Sequence, residues 1–300
     1  MTTTGSPWTD MTALMALEQP ATRLPDLLRL KSLSEQSGFQ VARRPGSGMS
    51  FAEHRLYQYG DPLRDLDWKV TARQGKPHVR TWHAEHEQPR WILVDQSPAM
   101  FFGSVHTTRA AIAAELAALL AWQAFGCHDP VALTIPGERN TPIRAVRHRR
   151  HLLPRLHQLL RHHLLLNPAA DRQSLAAGEP GAVLARSLQA IRQHRAARGS
   201  LALITTASQV TAEVLLALAS LRPRLSPLVI LIQDPLDLSG PPDPIPVTDG
   251  LHTGLWQPKP KDWMTPVHNA LRDQGIPHLR LSTERPVLEQ LLHLSGGVRP

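Results

Sequence analysis

Short apolar runs alternate with longer amphipathic segments along the chain from about residue 89 onward. The runs predict buried strands, and apolar residues spaced three or four apart predict helices between them. We expect strands at 91–95, 131–135, 201–205, 228–232, 252–256 (an edge strand) and 278–281. Helices are expected at 107–125, 154–166, 183–198, 210–221, 266–274 and 286–294. This alternation is typical of an α/β fold with a mostly parallel sheet and helices on both faces.

The first 88 residues follow a different pattern. Apolar positions at 14–17 and 24–33 predict two short helices, and a Gly-, Arg- and Ser-rich stretch predicts a loop after them. Strands are expected at 51–57 and 78–86, and in the second of them side chains alternate with a period of two. The sequence thus divides into an N-terminal helical segment (1–37), a β-rich hairpin appendage (38–88) and an α/β domain (89–300).

Charge and cysteine content indicate which partners and which cellular compartment suit the protein. The chain has 33 Lys and Arg against 25 Asp and Glu, and its formal charge of +8 favours acidic partners. A single cysteine, Cys127, suits a reducing compartment, and because it follows an apolar helix we expect a buried structural thiol. The N-terminus lacks a signal-peptide pattern, and the longest apolar stretch (110–122) is too short to span a bilayer. A cytoplasmic protein is therefore expected.

A carboxylate and a hydroxyl follow the strand predicted at 91–95. Asp95 and Ser97 come at its C-terminal end, which is where open α/β sheets bind ligands. The sequence contains no dinucleotide-binding glycine loop, no Walker lysine motif and no nucleophile elbow around Ser97. The motifs of the common enzyme classes are therefore missing, and Asp95 and Ser97 are candidates for binding.

A second set of residues, together with Asp95 and Ser97, carries a family resemblance. These residues are Arg55, Tyr57, Gly60, Asp61, Arg64, Asp67, Trp68, Arg73 and Glu87. In this pattern the chain resembles the bacterial domain of unknown function fifty-eight, over roughly residues 38 to 295. A later segment, Asp234-Pro235-Leu236-Asp237, is similar to the family's Asp-Pro-x-acid segment. The resemblance implies a von Willebrand factor A-like fold and a partnership with MoxR-type AAA+ ATPases, beside which such proteins are usually encoded.

The resemblance also implies a metal-dependent adhesion site, in which oxygen ligands from three loops hold Mg²⁺. Asp95 and Ser97 match the first loop, but Ala99 stands where a second serine is expected. Relatives carry Ser-Asp on the third loop, where this chain has Thr205 and Thr206, and the second loop offers no threonine. We therefore expect a degenerate site and no tightly bound cofactor, with weak Mg²⁺ binding at Asp95 and Ser97 left open.

The acidic cluster Asp61, Asp65 and Asp67 allows two interpretations. With Asp95 it could serve a metal-dependent hydrolase, because paired carboxylates perform acid–base work. Alternatively, neighbouring arginines such as Arg64 hold these carboxylates in an ion-pair network that fastens the appendage. The spacing matches no calcium loop, and we prefer the structural interpretation.

The strongest charge feature is the basic stretch from residue 144 to residue 163. Its members include Arg144, Arg147, Arg149, Arg150 and Arg155. Such a stretch could contact nucleic-acid phosphates or another anionic surface. Because it lacks interleaved aromatic residues and a recognition-helix motif, a solvated helix face or a docking surface for an acidic protein is preferred.

The residues and the resemblance together favour a non-enzymatic interaction module. We expect an adaptor that works with a MoxR-type AAA+ ATPase and a client protein in remodelling or assembling complexes. The loops around Asp95 and Ser97 form the expected contact face. A metal-dependent hydrolase and a basic binder of nucleic acid or anionic surfaces are the two alternatives.

Overall fold

The computed structural model describes residues 8–24, 26–28, 48–59, 61, 66–85, 89–136, 144–164, 179–195, 197–238, 243–248, 253–256 and 263–296. It divides into two compact units. Residues Met1–Val41 and Gln88–Pro300 form one, termed here the α/β unit, and residues Ala42–Glu87 form the other, the hairpin unit. Most of the helix predicted at 24–33 lies outside the described residues.

The described elements are numbered in chain order. The strands are β1 (Gly48–Leu56), β2 (His78–Glu85), β3 (Arg90–Val94), β4 (Val131–Thr134), β5 (Gly199–Thr205), β6 (Leu225–Gln233), β7 (Ile245–Thr248), β8 (Thr253–Trp256) and β9 (His278–Ser282). The helices are α1 (Met11–Ala16), α2 (Glu18–Ala21), α3 (Trp68–Gln74), α4 (Arg109–Gly126), α5 (Arg149–Leu164), α6 (Ala182–Gln193), α7 (Ala212–Leu221), α8 (Pro235–Leu238), α9 (Thr265–Asp273) and α10 (Val287–Gly296).

A five-stranded sheet forms the centre of the α/β unit. Its strands lie in the order β4-β3-β5-β6-β9, and every neighbouring pair is parallel. Alternate strand residues face opposite sides. Ile92 and Ile204 pack on the side of α1, α2, α4, α5 and α10, whereas Trp91 and Leu203 pack on the side of α6, α7 and α9. The predicted α/β class, with a mostly parallel sheet and helices on both faces, is confirmed.

The N-terminal segment belongs to the α/β unit and is not a separate segment ending at residue 37. Leu14 and Leu27 are buried in the same apolar layer as α4. The Trp122 indole N–H donates to the carbonyl oxygen of Leu14 at 2.9 Å, and the side-chain amide of Gln123 donates to that of Leu24 at 3.0 Å. The sequence pattern did not predict this packing, because the residues in contact are about one hundred positions apart in the chain.

Three local predictions are wrong. The helix predicted to begin at Pro154 begins five residues earlier. Proline has no N–H to donate to the preceding turn, but Pro154 is exposed, and the missing hydrogen bond therefore lies on the solvent side of the helix. The expected edge strand of the main sheet, β8, instead pairs antiparallel with β7. Cys127 is exposed, because it caps the end of α4 beyond the helix's buried turns.

The hairpin unit is built from β1, β2 and α3. The two strands pair antiparallel from Gly48 opposite Glu85 to Leu56 opposite His78. Asp67 caps the N-terminus of α3, and Gly75 ends the helix with a φ of 70°, a left-handed conformation that favours glycine. This unit spans Ala42–Glu87, and the appendage predicted from the sequence is placed at 38–88.

Candidate functional site

The strand order creates a switch point at the C-terminal ends of β3 and β5. From β3 the chain passes through α4 to β4 on one side, and it later returns through α6 to β5 on the other side. Connections that leave in opposite directions open a crevice between the two strands, and ligands of open α/β sheets bind there. Asp95 follows β3 directly, and Thr205 ends β5.

The structure brings Asp95, Ser97 and Thr205 together at this switch point. The backbone N–H of Ser97 donates to Asp95 Oδ1 at 2.8 Å, and the Thr205 hydroxyl donates to Asp95 Oδ2 at 2.6 Å. Asp95 is 2% exposed and Thr205 is fully buried. Each carboxylate oxygen of Asp95 thus accepts a hydrogen bond from a different strand end.

Burial raises the pKa of the Asp95 carboxyl above its usual value, and the hydrogen bonds from Thr205 and Ser97 offset this only in part. The Ser97 hydroxyl also favours the charged form, although its buried Oγ makes no hydrogen bond of good geometry. Within the described residues, no basic side chain forms an ion pair with Asp95. Among the described residues, the site therefore combines the Asp95 carboxyl group, which has no ion-pair partner, with the buried Ser97 hydroxyl, which makes no hydrogen bond of good geometry.

The other two candidate positions, Ala99 and Thr206, lie in the loops that follow β3 and β5. Ala99 lies in a short 3-10 helix (Pro98–Met100), and its carbonyl oxygen accepts a hydrogen bond from Arg109 Nη1 at 3.0 Å. Thr206 is buried at the start of a second 3-10 helix (Ala207–Gln209). Each of these 3-10 helices turns the chain soon after a strand ends, which keeps the loops after β3 and β5 close to the sheet edge.

The loop before α6 packs against the loop that follows β5. Gly181 N donates to Gln209 Oε1 at 2.7 Å, and Gly181 has a φ of 74°. A Cβ at this position would lie 2.6 Å from the carbonyl oxygen of Gln209 and 2.7 Å from Thr211 Oγ1. Only glycine fits this contact, which joins the second and third loops of the site.

A second polar centre lies at the ends of β6 and β9, and sequence reasoning placed only part of it. Asp234 follows β6 and is fully buried. It accepts hydrogen bonds from the backbone N–H and the hydroxyl of Ser104, from Thr283 Oγ1 at 2.7 Å and from Leu236 N at 3.0 Å. Although burial acts to raise the pKa of Asp234, these hydrogen bonds outweigh it and hold the pKa below the usual value.

Arg109 connects the two polar centres. Its Nη2 forms an ion pair with Asp237 Oδ2 at 2.6 Å, its Nη1 binds Ala99, and its guanidinium group lies 4.9 Å above the ring of Phe102. Asp237 Oδ2 also accepts from Asp234 N at 2.9 Å. The Asp-Pro-x-Asp segment was a visible signal for the acidic half of this network. Ser104, Arg109 and Thr283 had no such signal, because their partners are far away in sequence.

The family-motif residues of the hairpin unit that the structure describes have mostly structural contacts. Asp67 Oδ1 accepts from Lys69 N and Val70 N, and Asp61 Oδ2 accepts from Gln58 N at 2.8 Å. Arg55 lies in β1, and the backbone N–H of Tyr57 donates to the carbonyl oxygen of Pro77. In α3, Arg73 lies in the last turn, and Trp68 is 70% exposed. Gly60, Arg64, Asp65 and Glu87 lie outside the described residues.

Comparison with known families identifies the chain. The family model described as "Protein of unknown function DUF58" matches residues 53–250. The chain belongs to the DUF58 family. The match covers both the hairpin unit's motif and the sheet-edge loops of the α/β unit, and the family predicted from the sequence is confirmed.

Two curated relatives of this DUF58 protein are named as uncharacterized proteins. An uncharacterized protein of Mycobacterium bovis and one of Mycobacterium tuberculosis strain H37Rv are each 33% identical to it over 162 residues, which is 54% of this chain and 48% of each relative. The match thus spans about half the length of these relatives.

Two solved structures are similar to the DUF58 protein at a low level. They are an aerotolerance-related membrane protein from Bacteroides fragilis and the conserved hypothetical protein BatB from Bacteroides thetaiotaomicron. Each has a TM-score of 0.43, 12% sequence identity and coverage of 70% of this chain and 100% of the other. The fold assignment rests on the strand order of the DUF58 protein itself.

The basic stretch of the DUF58 protein lies on α5 and the segment before it. Arg144, Arg147 and Arg150 are exposed. Arg149 instead pairs with Glu18 at 2.8 Å and lies 5.4 Å from the ring of Trp122, and Arg155 Nη1 contacts Gln158. The predicted surface residues therefore do not form one uniform face.

The described part of the DUF58 protein shows neither a cluster of metal ligands nor a membrane-spanning helix. No group of three or more His, Cys, Asp or Glu side chains there is arranged to hold a metal ion. No helix in those same segments has the length and apolar character needed to cross a membrane.

Proposed function

We propose that this DUF58 protein is a non-enzymatic adaptor that works with a MoxR-type AAA+ ATPase to present or recognise a client protein. The observation that supports this best is the switch-point site, in which both oxygens of the buried Asp95 carboxyl are held by Ser97 N and Thr205 Oγ1. The site has the position of a ligand-binding face. The motifs of the common enzyme classes are missing from the sequence around it.

The same hydrogen bonds support the proposal that the adhesion site is degenerate. Mg²⁺ leaves its water shell reluctantly and needs several oxygen ligands in octahedral geometry. Here one carboxylate is available, and the hydroxyl of Thr205 directs its hydrogen toward Asp95 Oδ2. Ala99 contributes no side-chain oxygen. These residues do not fit a tightly held Mg²⁺ ion, and the proposed contact with a partner uses hydrogen bonds directly.

The proposed contact face consists of the loops at the C-terminal edge of the sheet. Ser104 anchors the loop after β3 to Asp234, and next to it Val105 is 51% exposed. Gly181 anchors the loop before α6 to Gln209. Loops fixed in this way lose little conformational entropy when a partner binds, which favours recognition by a preformed surface. The cytoplasmic location expected from the sequence is part of this proposal.

A binding measurement with a purified MoxR-type ATPase from the host tests the adaptor proposal. The ATPase is immobilised, and association of the full chain is followed by biolayer interferometry with ATP and Mg²⁺, with ADP, or without nucleotide. We expect nucleotide-dependent binding that Asp95→Ala and Thr205→Val each weaken by about tenfold, because these buried side chains hold the loops of the contact face in position. Asp273→Ala, which removes an exposed carboxylate from α9, serves as the matched control and should leave binding unchanged.

Two outcomes would contradict the proposal. One is the absence of ATPase binding by folded wild-type protein in every nucleotide state. The other is binding that Asp95→Ala leaves intact, which would move the contact face away from the switch point.

The hydrolase and the nucleic-acid binder remain predictions of lower rank. Asp61 and Asp67 hold backbone N–H groups of the hairpin unit, and no described contact assigns them to acid–base work. Metal-stimulated turnover of a substrate by the purified protein would revive the hydrolase alternative.

A further inference from the structure

One exposed face of α5 carries two arginines and a histidine. The buried residues of the helix are Leu152, Leu156, Leu159 and Leu160. Arg150, His157 and Arg161 are exposed and recur at intervals of seven and four residues, so they lie on one face opposite the leucines. These three residues are termed here the basic ridge. At a rise of about 1.5 Å per residue, Arg150 and Arg161 are about 16 Å apart along the helix axis.

The stretch of sequence that contains this ridge has no acidic residue. Residues 139–170 contain seven arginines and no Asp or Glu. An ion pair joins Arg149 to Glu18, on the flank of the helix. Within the described segments, neither Arg150 nor Arg161 forms an ion pair. Clustered like charges repel one another and lower stability, so an uncompensated row of them is expected where a partner supplies the opposite charge.

The surroundings keep the ridge in a fixed position. The segment before α5 pairs with the open edge of β4 through reciprocal hydrogen bonds between Val131 and Val146, at 2.9 and 2.7 Å. Leu152, Leu156 and Leu159 are each fully buried against the α/β core. The arginines are thus displayed by a helix that is held at its start and along its inner face.

We propose that the basic ridge is a docking surface for a carboxylate-rich segment of a partner protein. Guanidinium groups bind carboxylates in a planar, two-pronged geometry, and two of them three helical turns apart fit an acidic helix or extended segment. This proposal is independent of the ATPase partnership, because it concerns a different surface and a different chemistry.

The structure favours acidic protein over the other anionic partners. A helix that inserts into a membrane surface needs a free apolar face, and the leucines of α5 are already committed to the core. Proteins that bind single-stranded nucleic acid combine positive charge with stacking aromatic side chains. Residues 139–170 contain no Phe, Tyr or Trp. Carboxylates recognised by arginine forks are the remaining match.

A fluorescence anisotropy titration with the full chain tests the proposal. The probe is a short fluorescein-labelled glutamate-rich peptide, and binding is measured at about 50 and 200 mM salt, where surface charges are screened to different degrees. We expect Arg150→Glu combined with Arg161→Glu to weaken binding by about tenfold, because two attractive contacts become repulsive. The matched control reverses two exposed arginines on α6, Arg186→Glu with Arg192→Glu, and should change affinity by less than about twofold.

The design separates the alternatives. Equal loss in both double variants, or no binding of the peptide by wild-type protein at low salt, would overturn the proposal. So would tighter binding of a labelled single-stranded oligonucleotide that is lost in the ridge variant, since the surface would then belong to nucleic acid. If the glutamate variant fails to fold, Arg150→Gln with Arg161→Gln tests the same loss of charge.

Discussion

Two buried carboxyl groups at the same sheet edge have pKa shifts of opposite sign. Within the described residues, Asp95 accepts hydrogen bonds from Ser97 N and Thr205 Oγ1, and its pKa is raised by burial. Asp234 accepts from four donors, and its pKa is lowered despite burial. Because each hydrogen bond stabilises the charged form, the hydrogen bonds outweigh burial at Asp234 and offset it only in part at Asp95.

Asp95→Asn is expected to raise the stability of the protein at neutral pH. A raised pKa in the folded state means that Asp95 contributes stability that is present below its ordinary pKa and lost as the pH rises through the raised value. Asparagine mimics the protonated form and avoids this loss. The midpoint of thermal unfolding should therefore increase at pH 7, by about 2–4 °C for each kcal/mol gained. The difference from wild type should disappear in acid.

The exposed Asp273→Asn is the matched control for this substitution, and its effect should be small at every pH. A melting temperature that Asp95→Asn lowers equally at acidic and neutral pH would contradict the assignment of a raised pKa.

Restoring the two missing oxygen ligands tests the degenerate adhesion site. Ala99→Ser with Thr206→Asp should create Mg²⁺-dependent stabilisation, because binding to the folded state alone adds about 2.7 kcal/mol at a hundredfold excess over Kd. In EDTA the double variant should be less stable than wild type, since Thr206 is buried and an unpaired carboxylate there is costly. Thermal unfolding with and without Mg²⁺ measures both effects.

Ala99→Ser alone adds a hydroxyl without a carboxylate and serves as the control. A wild-type protein whose melting temperature rises strongly with Mg²⁺ would show that the natural residues suffice, which would contradict the degenerate site.

At the scale of elements, the main predictions from apolar periodicity hold. The strands predicted at 91–95, 201–205 and 278–281 agree with β3, β5 and β9 within two residues. Thr108 caps α4, and its hydroxyl accepts a hydrogen bond from Ala111 N. These features depend on neighbouring residues, and local sequence therefore identifies them.

The polar network around Asp237 fastens three elements, and its loss should be costly. Asp237→Ala removes the acceptor for Arg109 Nη2 and for Asp234 N, and it leaves the buried Arg109 guanidinium without its carboxylate. We expect the free energy of unfolding to fall by about 3–5 kcal/mol, as for a broken buried ion pair. Urea denaturation measures the change.

The control for Asp237→Ala is Glu289→Ala, which removes one member of an exposed pair with His293. Such surface pairs contribute about 0–1 kcal/mol. If both substitutions cost the same, the network would not hold the ends of β3 and β6 in place.

At the scale of the whole molecule, the N-terminal segment completes the α/β unit through a buried arginine. Arg90 is 1% exposed at the start of β3, and it binds Asp26 at 2.6 and 2.8 Å and Asp129 at 2.7 and 2.9 Å. Asp26→Ala should therefore destabilise the entire α/β unit, by about 1.5–3 kcal/mol for the lost hydrogen bonds to a charged group. The unit should still unfold in a single transition.

Urea denaturation measures the change in the free energy of unfolding. Asp243→Ala, which removes an exposed carboxylate, is the control. A separate early transition in Asp26→Ala, with the main transition unchanged, would instead mean that residues 1–37 behave as the independent segment that the sequence alone suggested.

The sequence by itself determined the fold class, the family and the position of Asp95. Apolar runs bounded by turn residues identify strands wherever a sheet is buried on both faces, and the hairpin-unit motif with Asp95 and Ser97 carries the family pattern. Each of these signals lies within a short stretch of chain.

Only the tertiary structure decided how the polar groups are paired. Thr205 and Asp95 are 110 residues apart, Ser104 and Asp234 are 130 apart, and Arg90 and Asp26 are 64 apart. Periodicity carries no information about contacts over such distances, because it reports which face of an element is buried and not what that face meets. The distant donors, Thr205 to Asp95 and Ser104 and Thr283 to Asp234, are supplied by the packing of the whole sheet, and they become visible only when its strands are side by side.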